Sequence, residues 1–214
     1  MTSRANHEST LGHVTVIDDD ASVRRSLCTM LQRVGYSVHQ YESADDFLNH
    51  PVVHMPGVIL LDMRMPGMTG VGLQSKLQTI APNIPVIFVS GDSRPEEIIT
   101  AMKQGAMDFL LKPFSAKAMI DVIERAMRMS HQAVALAEKY LQVSDHLKRL
   151  TPRELEICHW MVRGYSNQQI ANIDGGASAT IKLHRARVME KLAAGSLPEL
   201  INMLTGVDIP TPQR

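Results

Sequence analysis

The first half of the chain alternates short apolar runs with segments of helical periodicity. The apolar runs predict five strands, at His13–Asp18, Ser37–Tyr41, Val58–Asp62, Val86–Ser90 and Phe109–Lys112. The segments between them predict four helices, at Ser22–Val34, Ala44–Asn49, Val71–Ile80 and Glu96–Gln104. The strands are continuously apolar rather than alternating, which indicates that helices cover both faces of the sheet. We therefore predict an α/β domain with a five-stranded, parallel, doubly wound sheet.

The second half of the chain contains helix signals and no strand signal. Three capping boxes, in which Ser or Thr is followed three residues later by Glu or Gln, occur at Thr151–Glu154, Ser166–Gln169 and Ser196–Glu199. A further helix is predicted at Ser178–Leu192, and glycines separate these segments. The pattern predicts a small all-α domain of four short helices.

A helical stretch without Pro or Gly connects the two halves, from Ala116 to about Arg149. We expect it to contain the last helix of the first domain and a connector to the second. The length of 214 residues suits two domains of ordinary size. We place the first domain at residues 12–127, a helical linker at 128–147, the helical domain at 148–206 and a tail at 207–214.

The composition predicts a soluble, cytoplasmic protein with no membrane partner. Hydrophobic residues make up 44% of the chain, which supports packed cores, and because only 4% are aromatic the cores must be mainly aliphatic. No apolar run is long enough to cross a bilayer, and residues 1–11 lack the apolar segment of a signal peptide.

Charge divides unevenly between the two halves although the whole chain has a formal net charge of zero. Residues 1–125 contain 11 Lys and Arg against 14 Asp and Glu, a net charge of −3. Residues 126–214 contain 11 against 8, a net charge of +3. The basic second half is therefore the part of the chain where we expect a nucleic-acid partner.

Cysteine, histidine and methionine positions indicate no site for a soft metal. Cys28 and Cys158 fall in different predicted domains, and we interpret them as buried or idle thiols. The nine histidines are scattered and show no metal-ligand spacing. Met63, Met65 and Met68 are interpreted as packing within a loop.

Four polar side chains stand at the ends of predicted strands: Asp18, Asp62, Ser90 and Lys112. In a parallel sheet such ends meet at one edge, where ligands bind. Converging carboxylates repel one another unless a cation is bound, and hard oxygen ligands suit Mg²⁺. A carboxylate, a metal, a lysine and a hydroxyl form a complete set for accepting a phosphoryl group. For any one aspartate alone, a role as a turn residue stays open.

Four motifs resemble the receiver domain of bacterial response regulators, which has a flavodoxin-like fold. They are Val16–Asp20 (VIDDD), Leu61–Gly70 (LDMRMPGMTG), Val89–Gly91 (VSG) and Phe109–Phe114 (FLLKPF). The resemblance extends from about residue 13 to residue 127. It implies a protein that accepts a phosphoryl group from a sensor histidine kinase and is not an enzyme acting on external substrates.

The resemblance implies roles in phosphoryl transfer and switching. Asp62 would be the phospho-acceptor, while Lys112 and Ser90 would contact the phosphoryl group. Ser90 and Phe109 would form the switch, with Phe109 turning inward when the serine hydroxyl moves toward phosphate.

It also implies a Mg²⁺ site. Its ligands would be the side chains of Asp18, Asp19 and Asp62 and the main-chain carbonyl of Arg64. Asp20 would be a spare acidic residue rather than a ligand.

The helix predicted at Ser178–Leu192 has two distinct faces. The residues expected to face the core are Ile181, His184, Val188 and Leu192. On the opposite face lie Lys182, Leu183 and Ala186, with Arg185 and Arg187 at its flanks. A small, partly apolar face bordered by cations suits a DNA major groove. An ordinary amphipathic surface helix would show the same pattern, so this helix alone leaves both interpretations open.

The surrounding sequence resembles the LuxR/FixJ-type helix-turn-helix output domain over about residues 147–204. The motifs that carry the resemblance are Leu150–Glu154 (LTPRE), Arg163–Asn167 (RGYSN), Gln169–Ala171 (QIA) and Thr180–Leu192 (TIKLHRARVMEKL). It implies that Ser178–Leu192 is the recognition helix of a double-stranded-DNA-binding domain. The implied contact residues are Asn167, Thr180, Lys182, Leu183, Arg185, Ala186 and Arg187.

The turn of this helix-turn-helix departs from the family pattern. Asp174 and Gly176 stand where apolar residues are usual, and Ala177 stands where a capping Ser or Thr is usual. Asp174 must therefore face solvent or find a donor. We expect a more mobile turn and weaker DNA affinity in the isolated domain.

Together the two resemblances imply a phosphorylation-dependent transcription regulator that forms a homodimer when phosphorylated. Because the turn is atypical, a phosphorylation-switched protein-interaction module with weak or lost DNA binding is the alternative. A hydrolytic phosphatase with Asp62 as nucleophile is disfavoured, since Arg64 stands where such enzymes commonly need a second acid.

Overall fold

The computed structural model describes residues 10–91, 93–207 and 209. The chain divides into two compact units, Met1–Ala135 and Leu136–Arg214. Within the described residues, no helix combines the length and apolarity that crossing a membrane requires.

The first unit contains a parallel sheet of five strands. They are β1 (His13–Ile17), β2 (Ser37–Tyr41), β3 (Gly57–Asp62), β4 (Val86–Ser90) and β5 (Asp108–Leu111), in the spatial order β2-β1-β3-β4-β5. The helices between them are α1 (Ala21–Val34), α2 (Ala44–Asn49), α3 (Gly70–Ile80) and α4 (Pro95–Lys103). Each predicted strand and helix of this unit is present with ends within one residue of the prediction, and the predicted α/β class is confirmed.

Two apolar layers explain why the strands are continuously hydrophobic. Successive side chains of a strand point to opposite faces, so a sheet covered on both sides needs apolar residues at every position. On one face Leu31 of α1 packs with Val16 and Leu60. On the other face Phe47 of α2 and Leu73 of α3 are fully buried. A fully buried side chain of this size contributes about 2 kcal/mol, and these layers fix the sheet.

The helical stretch between the halves forms one helix, α5 (Ala116–Leu147). Its first part contributes Met119 and Ile123 to the core of the first unit. Its last part contributes Val143 to the core of the second unit. The last helix of the first domain and the connector predicted from the sequence therefore share a single element.

The second unit adds four short helices, as the sequence predicts. They are α6 (Pro152–Val162), α7 (Asn167–Asp174), α8 (Ser178–Lys191) and α9 (Leu197–Leu204). Ile157, Ile170, Ile181 and Leu200, one from each helix, are buried together in its core.

Two of the three predicted capping boxes are complete. In α6 and α7 the Thr151 and Ser166 side chains accept from backbone N–H groups, and Glu154 and Gln169 accept in return. The third capping box, predicted at Ser196–Glu199, lacks the return bond from the Glu199 side chain to the Ser196 backbone. Ser196 accepts from the backbone N–H of Glu199, but the Glu199 carboxylate accepts from the preceding Gly195 at 2.9 Å.

The atypical turn between α7 and α8 is held at both ends. Gly175 caps α7 with φ 73°, a left-handed conformation that glycine adopts without strain. The carboxylate of Asp174 pairs with the Arg153 guanidinium of α6, so it has found a donor. Ala177 begins α8 without a side-chain cap, as its identity predicts. The expected mobility of the turn stays a prediction.

A buried acid ties α6 to α8. The Glu154 side chain is 4% exposed and accepts from Lys191 Nζ at 2.5 Å and from the Thr151 backbone N–H at 2.9 Å. These bonds, the Lys191 bond first, lower the pKa of Glu154 to about 2. Since its ordinary pKa is 4.5, the ionised form stabilises the second unit above that pH, and the contribution is lost as pH falls toward about 2.

We predict that Glu154→Gln lowers the free energy of unfolding of the second unit by about 1–3 kcal/mol near neutral pH. The lower end of this range applies if solvent screens the partly exposed Lys191. The difference from the wild type should shrink as pH falls from about 6 to about 3, because the wild-type carboxylate becomes protonated. Trp160 is the only tryptophan and lies in α6, so its fluorescence during urea unfolding measures this unit. Glu138→Gln, at an exposed position of α5, is the matched control; an equal loss there would contradict the assignment.

Candidate functional site

An acidic pocket lies at the carboxyl edge of the sheet. Asp62 and Ser90 are the last residues of β3 and β4, and Asp18 and Lys112 directly follow β1 and β5. The parallel register brings these strand ends to the same edge, and the backbone N–H of Lys112 donates to the Ser90 carbonyl at 2.8 Å. The structure therefore brings together the four strand-end residues that the sequence predicts to form one site.

Lys112 bridges the two most buried acids of the pocket. Its Nζ lies 2.7 Å from Asp18 Oδ2 and 3.0 Å from Asp62 Oδ1. The lysine side chain is 24% exposed, whereas those of Asp18 and Asp62 are only 3% and 9% exposed. One ammonium thus compensates two carboxylates that would otherwise repel each other out of water.

The remaining oxygens of these two acids accept from the backbone. Asp18 Oδ1 accepts from the Asp20 N–H at 2.9 Å, and Asp62 Oδ2 accepts from the Arg64 N–H at 2.7 Å. Each carboxylate is therefore held in a fixed orientation, with one oxygen on the ammonium and the other on an amide.

Two residues around the first loop position the acids. The Arg24 guanidinium donates to the backbone carbonyls of Asp18 and Asp19 at 2.7 and 2.9 Å. Asp20 caps α1, accepting from the N–H groups of Ser22 and Val23, and these bonds lower its pKa. Asp20 was expected to be a spare acid; its carboxylate holds the helix instead. The sequence signal for this role is an acid directly before a helix. Nothing in the sequence pattern pointed to Arg24.

The electrostatics of the pocket depend on competing effects. Burial raises the pKa of Asp62, and the nearby Asp18 adds to the rise, while the Lys112 hydrogen bond and charge oppose it. For Lys112, burial disfavours the ammonium, but the hydrogen bonds that it donates to Asp18 and Asp62, together with their charges, outweigh burial and raise its pKa. Lys112 therefore stays charged, and removal of that charge would leave Asp62 to be protonated more easily.

The two predicted switch residues lie on neighbouring strands. Ser90 is buried, and its hydroxyl accepts from that of Ser93 at 2.7 Å. Phe109 pairs in register with Phe88 and packs, half-buried, against the core layer of α2, α3 and α4.

The exposed face of α8 agrees with the predicted wheel. Ile181 and Val188 are fully buried, and Leu183 is 52% exposed. The other exposed residues of the predicted contact set are Thr180, Lys182, Ala186 and Arg187. Asn167, the first residue of α7, is half-buried.

Arg185 is the one flanking cation that the structure places differently. Its guanidinium is half-buried and donates to the Tyr165 carbonyl at 2.8 Å, and burial lowers the pKa of Arg185. Part of its donor capacity therefore holds α8 to the α6–α7 loop. The side chain of His184 is half-buried, as expected for a residue on the core side.

Three of the histidines that are scattered in the sequence lie close together in the structure. His13, His39 and His54 each place a ligand nitrogen within 4.8 Å of the others. They come from β1, β2 and the loop before β3, so their spacing in the sequence gives no metal signature. The fold alone brings them together, at the end of the sheet away from Asp62.

Known families match both units of the chain. The family described as response regulator receiver domain matches residues 14–124. The family described as bacterial regulatory proteins, luxR family, matches residues 148–204.

Individual proteins match over nearly the whole length. The tetrathionate response regulatory protein TtrR of Salmonella typhimurium is 38% identical over 188 residues, covering 88% of this chain and 89% of TtrR. The transcriptional regulatory protein FixJ of Rhizobium meliloti is 37% identical over 190 residues, covering 89% of this chain and 93% of FixJ. The solved structure of the response regulator StyR matches with a TM-score of 0.79 and 36% identity, covering 91% of this chain and 98% of that one.

We predict that Lys112→Met raises the pKa of Asp62 further, because the ammonium is the main group that opposes burial there. Carboxyl-carbon NMR titration of the assigned Asp62 resonance, in metal-free buffer, measures the change. Lys117→Met, at an exposed lysine of α5, should leave the Asp62 pKa unchanged. An unchanged or lowered pKa in Lys112→Met would mean that the bridge does not govern this carboxylate.

Proposed function

Because the chain belongs to the two-component response regulators with a receiver domain and a LuxR-type DNA-binding domain, we propose that Asp62 accepts a phosphoryl group from a sensor histidine kinase. The observation that carries the proposal is the Lys112 bridge between Asp18 and Asp62 at the carboxyl edge of the sheet. We further propose a receiver at residues 12–127, a helical linker at 128–147, the DNA-binding domain at 148–206 and a tail at 207–214. The family matches to 14–124 and 148–204 support these limits.

In this proposal a carboxylate oxygen of Asp62 attacks phosphorus, the phosphorus–nitrogen bond to the kinase's phosphohistidine breaks, and the histidine imidazole leaves. Lys112 already touches Asp62 Oδ1, so its ammonium is in place to offset the charge that the phosphoryl oxygens bring. Because the Ser90 hydroxyl accepts from Ser93, its own proton is free to be donated to a phosphoryl oxygen. That donation would move Ser90 and release space beside β5, into which Phe109 turns.

Receiver domains typically bind Mg²⁺ at their acidic pocket, and the groups here suit that ion. Asp18 and Asp62 converge on one cation already, and Asp19 is exposed beside them. We propose that these carboxylates and the main-chain carbonyl of Arg64 hold Mg²⁺, whose charge would neutralise the incoming phosphate.

We propose that α8 enters the major groove of double-stranded DNA. Lys182 and Leu183 would face the bases, while Thr180, Ala186 and Arg187 line the same exposed surface. Asn167 at the N-terminus of α7 would contact phosphate, where the backbone N–H groups favour an anion. Arg185 contributes chiefly by holding α8 in place, because it already bonds Tyr165.

Phosphorylation is proposed to promote a homodimer that binds paired half-sites, with no turnover of an external substrate. The alternative, a protein-interaction module with weak or lost DNA binding, rests on the unusual turn. That turn is capped by Gly175 and bridged by Arg153 and Asp174, so its sequence alone no longer favours the alternative.

We predict that Asp62→Asn abolishes phosphoryl uptake from acetyl phosphate, because the amide is not a competent nucleophile. Phosphate-affinity gel electrophoresis of the full chain, with and without chelation of Mg²⁺, measures uptake. Asp121→Asn, an exposed acid on α5, should be labelled like the wild type. Continued labelling of Asp62→Asn at wild-type level would move the acceptor to another residue.

We predict that Lys182→Ala weakens DNA binding by about tenfold and lowers the salt slope of log K by about one unit, because one cation in the groove is lost. Fluorescence anisotropy on genome-selected DNA, across several salt concentrations and with beryllofluoride present, measures both. Lys148→Ala, at an exposed lysine of the second unit that pairs with Asp145, is the control. Absence of saturable, salt-dependent DNA binding by the wild type would favour the protein-interaction module.

A further inference from the structure

Three histidines converge at the amino-terminal end of the sheet. The rings of His13 and His54 have centroids 4.5 Å apart, and those of His39 and His54 have centroids 5.2 Å apart. One ring nitrogen of each residue lies within 4.8 Å of the others. His13 and His39 are half-buried and His54 is exposed, so the group opens to solvent on one side.

The fold holds two of these residues rigidly. His13 begins β1 and pairs with both Ser37 of β2 and Gly57 of β3. His39 lies two residues further along β2, and alternation places it on the same face as His13. These two ligand positions are therefore fixed by the central ladder of the sheet, before any ion arrives.

The third residue comes from a loop that is held close to the strand. The backbone N–H of His13 donates to the Pro56 carbonyl at 3.2 Å, and that of Gly57 donates to the Ser130 hydroxyl at 2.8 Å. A Cβ at Gly57 would lie only 2.1 Å from the His54 carbonyl, so glycine is needed for this approach. The loop thus presents His54 to the other two rings while leaving its side chain free to adjust.

The donor atoms of the group suit a metal ion. His13 Nδ1 is buried and has no hydrogen-bond partner among the residues that the structure describes. Neutral imidazole is the form that binds metals. Three imidazoles suit Zn²⁺ and the neighbouring divalent first-row transition metals, and they leave the fourth coordination position for water.

We propose that His13, His39 and His54 form a binding site for a divalent transition-metal ion of the Zn²⁺ class. Zinc–nitrogen bonds of about 2.0–2.1 Å require the three nitrogens to lie closer together than they do here, so binding would rotate the side chains of all three histidines on their backbone positions. The site is separate from the acidic pocket. β3 runs from Gly57 to Asp62, so about 16 Å of strand separates the two ends.

Isothermal titration calorimetry, in which Zn²⁺ is added to the tag-free full chain in millimolar Mg²⁺, tests the proposal. The Mg²⁺ occupies the acidic pocket, and repetition in the Asp62→Asn chain checks that this pocket does not supply the signal. We expect one Zn²⁺ equivalent, and at least a tenfold loss of affinity in His13→Asn, His39→Asn and His54→Asn. His131→Asn, an exposed histidine on α5, should bind like the wild type.

Co²⁺ is the second probe, because its visible absorption bands report the coordination geometry. Intense bands of a tetrahedral site in the wild type, absent from His54→Asn, would support the three-imidazole assignment. His54 is exposed, so this variant should keep the far-ultraviolet circular dichroism of the wild type. Unchanged Zn²⁺ affinity in all three cluster variants, or no saturable binding by the wild type below millimolar Zn²⁺, would overturn the proposal.

Discussion

The sharing of one lysine by two buried carboxylates is the constraint around which the first unit is organised. Lys112 reaches both Asp18 and Asp62 only because β1, β3 and β5 end at the same edge of a parallel sheet. The arrangement is costly without the lysine, since two ionised acids would be buried side by side. The apolar layers on both faces supply the stability that lets the sheet hold this polar edge in a fixed geometry.

The sequence predicts this part of the molecule well because its signals are local. Continuous apolar runs reveal each strand of a doubly wound sheet, and a polar residue at the end of a run is placed by topology alone. For that reason Asp18, Asp62, Ser90 and Lys112 could be grouped before any geometry was known. Arg24 could not be identified in this way. It binds backbone carbonyls, and an arginine on an exposed helix carries no sequence signal for such a contact.

In the second unit, helical periodicity predicts which side of a helix is buried but not which side chains find partners. A helical wheel distinguishes the core side of α8 from its exposed side, and Ile181 and Val188 follow it. It does not show which flanking cation has a partner inside the domain, and Arg185 has one in the Tyr165 carbonyl. The Asp174 carboxylate, anomalous in the sequence, is satisfied by Arg153, a residue 21 positions earlier in the chain. Both outcomes depend on tertiary contacts that no local pattern encodes.

The two ends of the sheet differ in a way that follows from strand geometry. At the carboxyl edge the groups end the strands or directly follow them, so carboxylates and an ammonium can turn inward on one another. At the amino edge the groups lie on the strands themselves or on the loop that enters β3, and alternation brings His13 and His39 to one face. Hard oxygen donors therefore gather at one edge and imidazoles at the other. β3, whose residues are all buried, runs from the loop that holds His54 to Asp62, so one rigid strand connects the two edges.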